Sequence, residues 1–125
     1  GEEGNPGGYF HMSPGEAYVG GGMWHPSSAK VRAFREAVVA DPAAIRSLID
    51  EPGFVARFGG LSGDSLQRVP PGFPKDHPES DLLRLKDFTF GHRLADDDID
   101  GPQLVGVLAD SFATALPVMR WLAAL

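Results

Sequence analysis

The chain has 125 residues, with 42% hydrophobic and 22% charged side chains, a globular composition that excludes both a disordered chain and one built of membrane spans. Seventeen acidic against eleven basic side chains leave a net charge of −6, which disfavours phosphate backbones and anionic lipid, so neither nucleic acid nor membrane is an expected partner. There is no cysteine, so disulfides and thiolate chemistry are excluded, and with no leader pattern and no apolar run near the ~20 residues of a membrane span the expected compartment is the cytoplasm.

In chain order, residues 1–8 (GEEGNPGG) have nothing to bury and are expected to form a flexible N-terminal loop ahead of one domain over residues 9–125. Two short strands follow, a hairpin over 9–24 with its turn at Ser13-Pro14-Gly15-Glu16. Alternation sets Phe10 and Met12 against Tyr9 and His11, then Ala17, Val19 and Met23 against Tyr18 and Trp24. The aliphatic side is expected under helices. The side with Tyr9, His11, Tyr18 and Trp24 is a candidate binding face, or else a second apolar layer. Gly20, Gly21 and Gly22 sit inside the second strand and mark a bend, a bulge or a close approach. A phosphate cradle is the sharper alternative, but no Lys-Ser/Thr follows and Met23–Pro26 separates the glycines from the next helix.

Ser27 or Ser28 caps a helix to about Ala40, with Val31, Phe34 and Val38 on one stripe. Asp41-Pro42 and Glu51-Pro52 each restart the chain as a new helix, a carboxylate at the cap and proline at the first helical position, ending at Gly59-Gly60. The stretch 61–78 is proline-rich and predicted to be a stiff loop that presents Arg68, Lys75, Asp76 and His77. A short helical turn over Glu79–Leu85, a strand over 87–94, an acidic turn over 95–100 and a long helix over 102–125 complete the chain, with Pro117 expected to kink that helix. Asp96-Asp97-Asp98 lacks the spaced oxygens and turn glycine of a calcium loop. The fold expected is α+β: a small, mainly antiparallel sheet (hairpin 9–24 plus strand 87–94) covered by α-helices.

No spacing in the chain matches a catalytic motif. His11, His25, His77 and His92 include no i, i+4 pair and no His-Glu-x-x-His, so no metal and no cofactor is expected, and there is no Gly-x-Ser-x-Gly elbow. His77, Asp81 and Lys86 form a candidate polar cluster, either an acid/base site or an anion pocket. The plainer alternative is that Asp81 caps the short helix and Lys86 pairs with a nearby acid.

The sequences GGYFHMSPG (7–15), VGGGMWHP (19–26), RFGG (57–60) and GFPKDHPESDLLRLKDF (72–88), in this order, resemble the C-terminal part of a bacterial family of conserved hypothetical proteins, domain of unknown function 2461. Family members carry an upstream region with an Arg-Asp, Arg-Phe and Lys-Tyr signature that this chain lacks. The resemblance therefore implies identity and a bacterial source without a mechanism, and suggests as partner either the chain's own N-terminal half or a second copy in a homodimer. Two functions follow as alternatives. One is a binding or interaction module that uses Tyr9, His11, Tyr18 and Trp24; the other is an enzyme whose site lies between this segment and the missing half, with His77, Asp81 and Lys86.

Overall fold

The computed structural model describes residues 6–13 and 15–125, with backbone alone at position 100. The expected loop over residues 1–5 and the Pro14 of the turn fall outside them. The first strand begins at Gly7, two residues earlier than the alternation alone indicates, because Gly7 and Gly8 pair with Gly22 and Gly21. Strands β1 (Gly7–Ser13), β2 (Glu16–Met23) and β3 (Phe88–Arg93) form one antiparallel sheet in the order β1-β2-β3. The architecture is α+β.

Six helices accompany the sheet among the described residues: α1 (Ser28–Ala40), α2 (Pro42–Ile49), α3 (Pro52–Phe58), α4 (Ser80–Leu83), α5 (Asp96–Asp100) and α6 (Leu104–Ala123). Ser27 caps α1, its hydroxyl accepting from the Lys30 N–H at 3.2 Å. Glu51 caps α3 through both oxygens, on the N–H groups of Gly53 and Phe54, and these bonds hold its carboxyl below the usual carboxylate range. Asp41 occupies the cap position of α2 but makes no side-chain cap bond, so Pro42 alone presets that start. The acidic stretch after β3 is helical rather than a simple turn: Asp96, Asp97 and Asp98 fill the first turn of α5, where carboxylates favour the positive helix end. Helix α6 runs unbroken through Pro117, whose missing N–H falls opposite exposed Ala113.

The register places Phe10, Val19 and His92 in one row across the sheet and Tyr9, Gly20 and Gly91 in the next, on the opposite face. The first face carries the core. Phe34 of α1 stacks on Phe88 at 3.7 Å between centroids, Trp121 of α6 meets Phe34 edge-on, and Phe54, Phe58 and Phe90 interlock beside them. Burying such rings is the main favourable term in this fold. Ser111, Ala115, Val118 and Leu122 form the buried stripe of α6, while Val105, Phe112 and Leu116 remain exposed. By length and composition α6 is the one described helix that could cross a membrane; here it packs one stripe on the sheet side of the domain.

The two edges of the sheet end differently. At β3, Ser62 exchanges both backbone hydrogen bonds with Thr89, at 2.7 and 3.0 Å, and covers part of the edge. At β1, no described segment pairs with the outer edge, and every residue from Gly7 to Met12 is exposed.

Candidate functional site

The open face of the sheet holds three of the four residues of the candidate binding face. Tyr9 pairs with Gly20 and His11 with Tyr18 in the register, so Tyr9, His11 and Tyr18 share that face. The two tyrosine rings are nearly parallel, 6.2 Å apart at 13°. Glycine makes this possible. A Cβ at Gly20 would lie 2.8 Å from the Tyr9 hydroxyl, and one at Gly91 would lie 2.6 Å from the Tyr18 hydroxyl, so each ring rests on bare backbone of the neighbouring strand. Partial burial, and then the neighbouring Tyr18, push the Tyr9 phenol up from its usual value. Tyr9 is still 46% exposed, so this is a surface platform rather than a second core. Trp24 stands apart: it follows β2, is 74% exposed, and meets the His25 ring edge-on at 4.2 Å.

Apolar surface continues around the β1 edge. Gly8, Phe10 and Met12 project to the helix side, where a Cβ on Gly8 would lie 2.6 Å from the Phe112 ring. Phe10 and Met12 are exposed on that side, as are Val105, Phe112 and Leu116 of α6. An uncharged strand edge beside an exposed apolar stripe is a surface that other chains can pair with.

The polar candidates are distributed otherwise. Asp81 receives two hydrogen bonds at 2.7 Å from one guanidinium nitrogen of Arg46, which also grips Glu79. Burial lowers the Arg46 pKa, but the hydrogen bonds and charges of Asp81 and Glu79 more than offset this and raise it. His77 accepts the Glu79 N–H on Nδ1 at 3.0 Å. Lys86 lines a cleft of about 960 Å³ between α1 and the proline loop, together with His25, Arg35 and Asp87. No hydrogen bond or ion pair joins any two of His77, Asp81 and Lys86 among the described residues. Nor does Asp81 cap α4, or Lys86 pair with an acid there.

In that cleft, Asp87 is buried and spends its two oxygens on the N–H groups of His25, at 2.8 Å, and Asp64, at 3.4 Å. His25 is thereby fixed in the left-handed region at φ 50°, an uncommon conformation for a non-glycine residue. Arg35 donates to the carbonyls of Leu83 and Leu85, and burial lowers its pKa.

Two polar arrangements have no signature in the sequence. The Arg46 clamp joins α2 to α4. On the other side, fully buried Ser111 donates to the Val107 carbonyl at 2.8 Å, accepts from Arg57 at 2.8 Å and lies 3.0 Å from His92 Nε2. The His92 ring thus lies between two oxygens, the Ser111 hydroxyl at Nε2 and the Arg93 carbonyl 3.2 Å from Nδ1. Burial lowers the His92 pKa; its contact with the Arg93 carbonyl opposes that, the charge on Arg57 reinforces it, and Asp98 opposes it. A serine with its hydroxyl committed to backbone and buried from solvent is a strut between β3, α3 and α6 rather than a nucleophile. No group of three metal-ligating side chains occurs among the described residues.

A family model described as "Conserved hypothetical protein (DUF2461)" matches residues 1–121. The chain belongs to this family. No curated protein and no solved structure matches it.

Proposed function

We propose, from that membership and the geometry of β1, that the protein is a binding module that recruits a polypeptide by strand addition at the β1 edge. One observation carries this: Gly7–Met12 is exposed along its length on an edge that no described segment covers, with apolar Phe10 and Met12 exposed on it. Antiparallel ladders aim alternate N–H and C=O groups away from the partner strand, so β1 offers a row of unpaired donors and acceptors. A strand laid there would satisfy them and cover Phe10 and Met12. The occupant is a second copy of the chain or the family's upstream region; bacterial origin and residence in the cytoplasm are part of the same proposal.

Sedimentation over a wide concentration range tests it, with hydrogen exchange of the β1 amides measured on the chain alone and with the upstream region supplied. Association of the chain, or protection of β1 by the upstream region, is the expected result, and Phe10→Lys with Met12→Lys abolishes either while the chain still unfolds cooperatively. A chain that remains monomeric, with β1 amides exchanging freely in both settings, overturns the proposal.

A further inference from the structure

On the far side of the proline loop lies a second cavity, of about 530 Å³, lined by Gln67, Arg68, Val69, Lys75, Ser80 and Arg84. Three of the six are cations and none is an acid, in a chain of net charge −6. Its base is built rather than floppy. Ser65 and Leu85 form an antiparallel bridge, Leu66 donates to the Arg84 carbonyl at 2.7 Å and Lys86 to the Asp64 carbonyl at 2.7 Å, which sets Gln67 and Arg68 beside Arg84. Pro70, Pro71, Pro74 and Pro78 restrict the backbone that carries Lys75 round to meet them.

Of the neighbouring carboxylates, exposed Asp76 follows Lys75 in the loop but does not line the cavity. Glu79 and Asp81 flank Ser80 in sequence, but both are held by Arg46 on α2. Among the described residues, Arg68, Lys75 and the Gln67 amide make no side-chain hydrogen bond, and neither cation is in an ion pair. Among the described residues Arg84 uses only Nε, on the Ser80 carbonyl at 3.3 Å, which leaves both terminal nitrogens to a ligand. Three like charges around one hollow repel one another, and an anion in the hollow would relieve that repulsion.

We propose that this cavity is a binding site for a small phosphate monoester, with the phosphate seated among Arg68, Lys75 and Arg84. Guanidinium forks and an ammonium suit the oxygens of a tetrahedral dianion, and Ser80 and Gln67 add neutral donors. The volume exceeds what a bare phosphate fills and falls within the range of small-molecule sites, so an organic portion of metabolite size accompanies the phosphate. The acidic remainder of the molecule opposes a long polyanion or an anionic bilayer.

The test is an amide chemical-shift titration of the whole chain with inorganic phosphate and with phenyl phosphate, against potassium chloride at matched ionic strength. Expected are saturable shifts confined to residues 67–84, tighter for phenyl phosphate. Arg84→Gln weakens binding about tenfold, the cost of one charge-assisted hydrogen bond. Arg68→Gln with Lys75→Gln removes it, at an unchanged melting temperature. Shifts that chloride reproduces, that fail to saturate or that survive in the double variant overturn the assignment. So does a short oligonucleotide that binds as tightly as phenyl phosphate, since it would make the region an open polyanion patch.

Discussion

The two flanks of the sheet both carry large apolar side chains and end in opposite states. On the β3 flank, Phe34, Phe54 and Phe88 are sealed by α1, α3 and α6, and Ser62 covers part of the edge. On the β1 flank, Tyr9, Phe10 and Met12 stand in solvent, at 46%, 39% and 51% exposure, with no described segment across the edge. Hydrophobicity therefore does not decide which flank is core. What decides it is whether chain remains to cover the strand: the helices after β2 fold over the β3 flank, and α6 reaches only as far as Gly8 on the other side. The β3 flank stabilises the domain, and the β1 flank leaves its apolar side chains in solvent.

The largest expected effect separates them directly. Phe34→Ala removes a ring stacked on Phe88 and should cost about 3–5 kcal/mol in denaturant unfolding, whereas Met12→Ala on the open flank should cost about 1 kcal/mol or less. Equal losses would mean that β1 is as integrated as β3. A pair of glycines sharpens the contrast at the level of backbone. Gly22 has φ +113°, and a Cβ there would strike the Phe88 carbonyl, so Gly22→Ala should cost about 2 kcal/mol or more. Gly8→Ala meets only the tip of the half-exposed Phe112 ring, which can swing aside, and should change the unfolding midpoint little.

The smallest effect concerns pH. Burial holds the His92 pKa below its usual value of 6.5, so the folded state prefers the neutral ring while the unfolded chain takes up a proton first. The contribution of His92 to stability is thus complete above about pH 6.5 and is lost as pH falls through the lower folded value. His92→Gln should flatten that part of the stability profile in denaturant unfolding followed across pH.

The elements were legible where the signal is local. Alternation from Tyr9 to Met23 gave the hairpin and its faces, but it also carried Trp24, which lies past β2, onto the tyrosine face; the repeated carboxylate-proline pairs gave the starts of α2 and α3. Local signals also misled. A run of three aspartates reads as a solvated turn, yet helix α5 accommodates them in its first turn. Asp81 reads as a cap, yet Arg46, 35 residues away in sequence, takes it instead. Such long-range pairings leave no spacing to detect, and the same holds for His92, Ser111 and Arg57. For the tyrosine platform, alternation placed Tyr9 and Tyr18 on one face. That they lie on glycines required the register Tyr9–Gly20–Gly91, which a single strand does not encode.

The positions of the two tryptophans give the protein an internal pair of optical reporters. Trp24 is in water in the folded state and should emit at long wavelength whether the chain is folded or not, with iodide quenching it readily. Trp121 lies edge-on to Phe34 at 5.6 Å between centroids, so its emission should shift to the red on unfolding. With Trp24 replaced by Phe, the remaining signal follows the sealed flank alone. With Trp121 replaced, it follows only the surface around His25 beside the cleft.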